Sequence, residues 1–347
     1  MSPLLYQLSY TATSEPNRAP DDSRSRLLVS TAGMTECFIP SGCCNLKPDM
    51  VLCEEETRGS MSIGNDRAVV ITGASTGIGA ACAFHLDRLG FTVFAGVRKP
   101  EDGARLQQSG SDRLIPILLD VTDQPSIQRA RAIASERCGA NGVYGLVNNA
   151  GIAVPAPLEA IPLPDFRRQL DVNVIGQLAV TQAFLPLIRQ ARGRIVNMGS
   201  IAGRSTIPMM GAYSASKFAL EAMTDALRLE VQPWGIHVSI IEPGAITTPI
   251  WAKSAADAAG REASMEAELK RLYEPTVAAV RKVVEEAATR AIPADVVAKA
   301  VENALTAPVP KTRYLVGTDA KIRAFIGQIL PDRVMDRLLT AVLKLPH

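Results

Sequence analysis

Residues 67–90 read RAVVITGASTGIGAACAFHLDRLG, and this stretch decides the fold of the chain. The run at 67–72 is short, apolar and β-branched, as is typical of a buried strand. It leads into a glycine-rich turn at 73–79 and then into an apolar helical pattern that ends at Gly90. A helix that begins at such a turn offers free N–H groups and a partial positive charge to a pyrophosphate. The turn is therefore a candidate dinucleotide site, although its G-x-x-x-G-x-G spacing is not the commonest one and such turns also serve packing.

Beyond this stretch, strand and helix patterns alternate from Met61 onward. Predicted strands fall at 67–72, 92–97, 114–119, 142–147, 194–198, 237–242 and 313–316. A predicted helix at 164–189 carries an apolar stripe formed by Phe166, Leu170, Val174, Leu178 and Phe184. Apolar strands that alternate with helices indicate a parallel sheet covered on both faces. We therefore predict an α/β fold with a doubly wound parallel sheet of the Rossmann type, in a single domain over residues 61–347.

The candidate polar residues follow the predicted strands. Asp120 comes after the third strand, Asn148 after the fourth and Ser200 after the fifth. Pro243 and Gly244 come after the sixth. Because ligands bind outside the carboxyl ends of the strands in a doubly wound sheet, we expect these residues and the glycine turn to line one cleft.

Tyr213 and Lys217 lie one helical turn apart in YSASK, downstream of Ser200. Residues four apart share a helix face, so the phenol and the ammonium can point into one cleft. A free phenol has a pKa of about 10, which is roughly three units too high for acid/base chemistry near neutral pH. One cation about 4 Å away, at an effective dielectric constant near 20, supplies roughly the 4 kcal/mol that this shift requires. The spacing predicts proton transfer by Tyr213 tuned by Lys217, with a surface helix as the alternative.

Several motifs together resemble a known family. They are TGASTGIG at 72–79, LDVTD at 119–123, NNAG at 148–151, DVNVIG at 171–176, VNMGSIAG at 196–203, YSASK at 213–217 and EPGAITTP at 242–249. In order and spacing they resemble the short, single-domain branch of the short-chain dehydrogenase/reductase family. PIW at 249–251 and PKTRYLVG at 310–317 are similar to retinol and 17β-hydroxysteroid dehydrogenases. The resemblance implies an NAD(P)-dependent oxidoreductase that interconverts an alcohol and a ketone or aldehyde.

The resemblance implies four catalytic residues, Asn173, Ser200, Tyr213 and Lys217. Tyr213 would donate a proton to a carbonyl or accept one from an alcohol, and Ser200 would hydrogen-bond the substrate oxygen. Lys217 would lower the pKa of the tyrosine and hold the nicotinamide ribose. Asn173 would anchor a water molecule in a proton relay, whereas an asparagine inside a helix, considered alone, more commonly bonds backbone groups.

The resemblance also implies the residues that bind the cofactor. They are Gly73, Ser75, Thr76, Gly77, Ile78, Gly79, Arg98, Asp120, Val121, Asn148, Ala150, Gly151, Tyr213, Lys217, Pro243, Gly244, Ile246 and Thr248. Gly79 would line the pyrophosphate with the two other glycines of the turn. Asn148 would lie beside the adenosine ribose.

The end of the second strand bears on the choice between NAD and NADP. Val97 stands where an acidic residue would bind a ribose 2′-hydroxyl, and Arg98 and Lys99 follow it. Because arginine accommodates a 2′-phosphate, NADP(H) is favoured over NAD(H). A solvated loop is the alternative role of the two basic residues.

Residues 250–290 form a predicted helical insertion that the resemblance places over the substrate. Trp251 and Tyr273 are its candidate apolar walls, with helix packing as their alternative role. A lid over a lipophilic pocket favours a bulky alcohol or carbonyl substrate such as a steroid or a retinoid, and quinones, keto-acyl groups and xenobiotic carbonyls fit as well. The sequence shows no charged anchor for the substrate. Apolar residues at helical spacing around Pro331 predict C-terminal helices that pack in the core, pack between subunits or contact a membrane peripherally.

Composition limits the function classes. The net charge is only +2, from 37 basic and 35 acidic residues, which does not predict nucleic-acid binding. No apolar run approaches the 18 or so residues typical of a membrane span, and a cytoplasmic protein is expected. Residues 1–60 lack sustained periodicity and are predicted to be a disordered extension. Their cysteines form no paired C-x-x-C pattern, so no metal site is predicted.

Two other functions would keep part of the pattern. A dinucleotide-binding redox sensor needs the glycine turn but not the proton-transfer residues. An epimerase or dehydratase keeps Y-x-x-x-K, but such relatives usually have T-G-x-x-G-x-x-G and a larger C-terminal substrate domain. Because Ser200, Tyr213 and Lys217 are all present, an enzyme is favoured. The resemblance implies a homodimer or homotetramer.

Overall fold

Seven parallel strands form one sheet in the computed structural model, which describes residues 67–345. The strands are β1 (Ala68–Ile71), β2 (Thr92–Val97), β3 (Leu114–Leu118), β4 (Gly145–Asn148), β5 (Arg194–Met198), β6 (His237–Pro243) and β7 (Arg313–Val316). Their order across the sheet is β3-β2-β1-β4-β5-β6-β7. The predicted doubly wound parallel sheet is confirmed, whereas the predicted extension at residues 1–60 lies outside the described residues.

Helices connect the strands. Within residues 67–345 they are α1 (Gly77–Arg88), α2 (Pro100–Ser109), α3 (Gln124–Cys138), α4 (Leu163–Leu170), α5 (Gly176–Ala191), α6 (Gly211–Glu230), α7 (Ile250–Ser264), α8 (Ala267–Thr289), α9 (Ala294–Thr306), α10 (Thr318–Ile329) and α11 (Asp332–Leu343). A π-helical turn, Asp171–Ile175, joins α4 to α5, and a 3₁₀ turn, Ile201–Gly203, follows β5.

The core has one half on each face of the sheet. Val69 and Ile71 of β1 belong to a cluster with residues of α1, α2 and α9. Val70, between them, belongs to a second cluster with residues of α3 and α5. Because successive side chains of a strand point to opposite faces, a strand that is covered on both faces is apolar throughout. This explains why β1 shows no alternation of apolar and polar residues.

The strand order places the ligand crevice beside β1. This strand pairs with β2 on one side and with β4 on the other, so the chain winds outward in both directions from it. The loops that follow the neighbouring strands separate at such a point and leave a crevice at their carboxyl ends. The glycine turn after β1 lies at this point.

The predicted helix at 164–189 is interrupted by the π-helical turn. Phe184 is fully buried as expected, but Leu178 of the same predicted stripe is 41% exposed. Leu178 and Phe184 both follow the π turn in α5, and six residues at 100° each place them about 120° apart around the helix, so they do not share one face. Val180 and Ile188 are buried with Phe184 instead, so the prediction for Leu178 was wrong.

The helical span 163–191 is long and apolar enough to cross a membrane by length and composition alone. However, Val180, Phe184 and Ile188 of this span belong to the cluster on one face of the sheet. Asp165 and Arg167 also place charges within its first helix. The packing of these apolar side chains against the sheet is that of a core helix.

Candidate active site

The glycine turn after β1 has a backbone that favours glycine. Gly73 and Gly77 have φ angles of +65° and +60°. A Cβ at Gly73 would lie 2.8 Å from Cα of Ala150. α1 begins at Gly77, and its first turn carries no acidic residue that would repel an anion. The turn therefore fits a pyrophosphate bound to the N–H groups at the start of α1.

Side chains from β1 and the loop after β4 hold this turn in place. Oγ1 of Thr72 accepts hydrogen bonds from the backbone N–H groups of Asn149 and Ala150, both at 2.9 Å. Nδ2 of Asn149 donates to the carbonyl oxygens of Thr72 at 2.9 Å and Gly73 at 3.0 Å. Sequence reasoning missed Thr72 and Asn149 as site residues, although both are polar residues at the end of an apolar strand.

A cleft of about 900 Å³ brings most of the predicted site residues together. The predicted cofactor-binding residues that line it are Gly73, Ser75, Thr76, Gly77, Ile78, Arg98, Asp120, Val121, Ala150, Gly151, Tyr213, Lys217, Pro243, Gly244, Ile246 and Thr248. Ser200 lines it as well. The volume lies at the upper end of the range for ligand pockets, about 300–1,000 Å³, as a cofactor together with a substrate requires.

Asn148 does not lie in this cleft. Its side chain is 1% exposed, and Nδ2 donates to Oγ1 of Thr181 at 2.9 Å and to Oδ1 of Asn197 at 3.0 Å. Successive side chains alternate in direction at the end of a strand, so Asn149 reaches the cleft and Asn148 does not. The prediction that Asn148 lies beside the adenosine ribose was wrong.

Gly79 does not line the cleft either. A Cβ at this position would lie 2.3 Å from the carbonyl oxygen of Gly73 and 2.5 Å from Nδ2 of Asn149. The residue therefore allows α1 to pack closely against the turn. The contribution of Gly79 to pyrophosphate binding through its backbone stays a prediction.

Asn173 is fully buried in the π-helical turn. Its Oδ1 accepts the N–H of Ile152 at 2.9 Å, and its Nδ2 donates to the carbonyl oxygen of Ile152 at 3.0 Å and to Oγ of Ser216 at 3.0 Å. Oγ of Ser216 in turn donates to the carbonyl oxygen of Tyr213 at 2.6 Å. The Asn173 side chain is thus a positioning group for α6 and does not line the cleft; its relay through water stays a prediction.

Ser200 and Tyr213 meet on the wall of the cleft. Ser200 follows β5, and Tyr213 stands in the first turn of α6. Both side chains line the cleft, and against the larger, raising effect of burial the neighbouring Ser200 hydroxyl lowers the pKa of the Tyr213 phenol. Oγ of Ser200 also accepts the N–H of Ala202 at 3.1 Å, which fixes its orientation. Two hydroxyl groups held in this way can bind one substrate oxygen.

Lys217 lies behind the tyrosine. Its Nζ donates to the carbonyl oxygen of Met198 at 2.7 Å and is 5.7 Å from the centre of the Tyr213 ring. Burial lowers the pKa of Lys217 to about 8, against a smaller opposing effect of the Glu221 carboxylate. Burial also raises the pKa of the Tyr213 phenol, and the Ser200 hydroxyl opposes this only in part. Burial therefore dominates the pKa of both groups, and the predicted lowering of the Tyr213 pKa by Lys217 stays a prediction.

The buried ammonium of Lys217 is expected to cost stability. A pKa lowered from 10.5 to about 8 corresponds to roughly 3 kcal/mol. Because Lys217→Met also loses the bond to Met198, worth about 1 kcal/mol, the variant is expected to gain about 2 kcal/mol in the free energy of unfolding at pH 7. Urea unfolding checks this.

The pH dependence identifies the cause of that gain. Between the folded pKa of about 8 and the unfolded pKa of 10.5, the unfolded wild-type protein binds more protons than the folded one, so wild-type stability rises with pH in this window. The advantage of Lys217→Met should therefore shrink from pH 8 to pH 10.5. The control is Lys299→Met, which removes an exposed lysine of α9. A pH-independent gain for Lys217→Met would contradict a cost caused by the buried charge.

Helices outside the motif region also line the cleft. Trp251 of α7 contributes to the lining, and its Nε1 donates to the carbonyl oxygen of Ile246 at 2.9 Å. Tyr273 of α8 instead donates to Oε2 of Glu159 at 2.7 Å and does not line the cleft, so its prediction as an apolar wall was wrong. Further lining residues are Ile250, Ser254, Asp257, Val283, Val284, Ala287 and Ala288.

The C-terminal helices divide their apolar residues between the cleft and the surface. Those that line the cleft are Ile326, Met335, Leu338, Leu339, Val342 and Leu343. Ile322, Phe325 and Ile329 of α10 are more than half exposed. Sequence reasoning predicted these helices but not their place at the cleft. Membrane contact or subunit packing through the exposed residues stays a prediction.

Comparisons with known proteins agree with this geometry. Residues 67–259 match the model of the short chain dehydrogenase family. Retinol dehydrogenase 5 of Mus musculus is 38% identical over 294 residues, which cover 81% of this chain and 90% of that protein. The NADPH-dependent 3-dehydrocapnine reductase of Ornithobacterium rhinotracheale is 33% identical over 80% of this chain and 98% of that protein.

A solved structure shows the same fold. A short chain dehydrogenase from Burkholderia cenocepacia J2315, in complex with NADP, superposes with a TM-score of 0.61 and 28% sequence identity over 82% of this chain and 100% of that one. Together with the family match and the retinol dehydrogenase likeness, it confirms the resemblance seen in the motifs. The chain therefore belongs to the short-chain dehydrogenase family and is related to the retinol dehydrogenases.

Proposed function

We propose that this protein reduces a ketone or aldehyde group of a lipophilic substrate with NADPH, and catalyses the reverse oxidation. The observation that carries the proposal is the meeting of Ser200, Tyr213 and Lys217 on one wall of the cleft that also contains the glycine turn. Bound NADPH would supply the hydride. The proton must then come from a group of the protein.

Tyr213 is suited to provide that proton. Because burial raises the pKa of its phenol, it remains protonated at neutral pH and can donate to a carbonyl oxygen. Ser200 can donate a hydrogen bond to the same oxygen and stabilise the negative charge that develops there. The ammonium of Lys217 adds positive charge behind the phenol. A protonated Tyr213 favours reduction near neutral pH, whereas oxidation requires its deprotonated form.

The substrate end of the cleft supports a lipophilic substrate. Trp251 of α7, Val283 of α8 and Leu339 of α11 line it. Burial of apolar surface supplies most of the affinity for such a ligand. Relatives of this chain are named retinol dehydrogenases, which agrees with an alcohol on a large apolar body.

Arg98 supports NADP(H) as the preferred cofactor. Arg98 follows β2 and lines the cleft. The residue before it is Val97 and not an acidic residue that would repel a 2′-phosphate. In Arg98→Ala, the ratio of kcat/KM with NADPH to that with NADH is expected to fall about 10- to 100-fold, because charge-assisted hydrogen bonds to the 2′-phosphate are lost. Steady-state kinetics with both cofactors measure the ratio.

Lys99→Ala is the control for Arg98→Ala, since it removes an adjacent exposed charge that does not line the cleft. Its cofactor ratio should stay within a few-fold of the wild-type value. A wild-type preference for NADH would refute the NADP(H) proposal.

NADPH oxidation against a panel of lipophilic ketones and aldehydes tests the activity itself. Turnover that requires both the carbonyl compound and the enzyme is expected. Tight binding of NADPH without NADPH oxidation in the presence of any of these compounds would instead indicate a redox sensor.

A further inference from the structure

Arg323 of α10 lines the cleft and forms no ion pair with a carboxylate of the described residues 67–345. Its Nη2 donates to the carbonyl oxygen of Ser205 at 2.8 Å and lies 3.4 Å from Oγ of the same serine. Arg323 takes part in none of the ion pairs found within residues 67–345. Burial lowers the pKa of its guanidinium, with only a smaller opposing effect from Asp319.

The neighbouring arginines differ in this respect. Nε of Arg204 lies 2.6 Å from Oε2 of Glu242, and Nη2 of Arg313 lies 2.6 Å from Oδ2 of Asp225. These two arginines and Arg323 surround a small cavity beside the main cleft. Glu242 and Asp225 are thus paired with Arg204 and Arg313, whereas the positive charge of Arg323 forms no ion pair with either carboxylate.

Asp319 does not neutralise that charge directly. Its Oδ2 accepts the N–H of Ala245 at 2.8 Å, which ties the start of α10 to the loop after β6. The space around Gly244 is also filled by this carboxylate, since a Cβ there would overlap it. Asp319 is therefore committed to the loop, one helical turn away from Arg323.

Apolar residues line the cleft that the guanidinium of Arg323 also lines. Ile326 lies one turn further along α10, and Leu339 and Val342 of α11 line the same cleft. A guanidinium is weakly hydrated and matches the planar geometry of a carboxylate, so it binds anions well in such surroundings. The contacts with Ser205 use at most the two N–H donors of Nη2, and the other three of the five donors remain for a ligand.

We propose that Arg323 binds a carboxylate carried by the lipophilic substrate, so that this enzyme prefers oxo or hydroxy acids with a long apolar body to neutral alcohols and ketones. This inference rests on the proposed function, because it assigns the substrate class of the same cleft. A purely structural role of Arg323 would instead be to hold Ser205, and thereby the segment after Ser200.

Binding without turnover separates these roles. Titration calorimetry is carried out with dodecanoate and with dodecanol, which share the apolar chain and differ in charge. In Arg323→Gln, dodecanoate is expected to bind about 10- to 100-fold more weakly, because charge-assisted hydrogen bonds are lost, whereas dodecanol should bind as in the wild type. Arg323→Lys should retain part of the affinity for dodecanoate. Unchanged dodecanol binding also shows that the variants are folded.

Arg333→Gln is the matched control. It removes the same charge from an exposed position of α11 that does not line the cleft, so both ligands should bind as in the wild type. Equal weakening of dodecanoate and dodecanol by Arg323→Gln would overturn the proposal and indicate a structural role. Equal weakening of dodecanoate by Arg323→Gln and Arg333→Gln would overturn it too, because general charge attraction would then suffice.

Turnover completes the test. The wild-type enzyme should reduce a long-chain oxo fatty acid with a kcat/KM about 10- to 100-fold above that for its methyl ester, and Arg323→Gln should lose this preference mainly through KM. Equal wild-type values for acid and ester would refute the role of Arg323 while the proposed reductase activity stands. Absence of turnover with either compound would refute the reductase activity, and the calorimetric result would still decide whether Arg323 binds the carboxylate.

Discussion

Replacement of Tyr213 by phenylalanine is expected to lower kcat for carbonyl reduction by about 10²- to 10⁴-fold. The variant keeps the ring that fills the wall of the cleft but loses the phenolic proton. Because the glycine turn is unaffected, NADPH should bind with nearly unchanged affinity. Stopped-flow measurement of NADPH oxidation gives the rate, and fluorescence titration gives the affinity.

Tyr273→Phe is the control for this prediction. It removes a hydroxyl group from an exposed residue that bonds Glu159 and does not line the cleft. Its kcat should match that of the wild type. Full activity of Tyr213→Phe would mean that another group provides the proton, and the assignment of Tyr213 would fail.

Replacement of Gly79 by alanine is expected to lower the free energy of unfolding by about 1–3 kcal/mol or more. The added Cβ would lie 2.3 Å from a backbone oxygen of Gly73, which cannot move away as a flexible side chain would. NADPH affinity should fall as a secondary effect, because the turn must shift. Urea unfolding without cofactor measures the stability change.

Gly260→Ala is a matched control for Gly79→Ala. Gly260 lies within α7, and a Cβ there would meet no atom within 4 Å. This substitution should leave stability unchanged or raise it by about 0.5–1 kcal/mol, since alanine favours a helix over glycine. If Gly79→Ala weakened NADPH binding but left the unfolding free energy unchanged, the residue would serve the cofactor and not the packing.

The fold was predictable because its signals are local. The apolar β-branched runs define the strands, and the polar residues that follow them identify the edge of the sheet where the cleft lies. Ser200, Tyr213 and Lys217 fall into place for the same reason, since each follows a strand or shares one helix face. Their placement in one cleft agrees with the family match.

Sequence spacing could not predict properties that depend on atoms from distant segments. Asn148 and Asn149 are chemically identical, and only the direction of the side chain at the end of β4 decides which one reaches the cleft. The role of Gly79 depends on the position of the Gly73 carbonyl. The pKa of Tyr213 depends on burial, which spacing alone does not reveal.

The C-terminal helices were predictable as helices but not as part of the site. Their apolar spacing is compatible with core packing, subunit packing or membrane contact alike. Only the tertiary structure places Leu339 and Val342 at the cleft and brings Arg323 beside Ser205. Sequence reasoning found no charged anchor for the substrate because Arg323 is more than one hundred residues from Ser205, which it contacts.

The most direct test of the proposed function follows the hydride. The enzyme is incubated with a lipophilic ketone and NADPH that is deuterated at the transferred position, and the alcohol is examined by mass spectrometry. The proposed chemistry predicts one deuterium on the former carbonyl carbon, formed at a strongly reduced rate in Tyr213→Phe. Tight binding of NADPH without any deuterated alcohol from a panel of such ketones would contradict it.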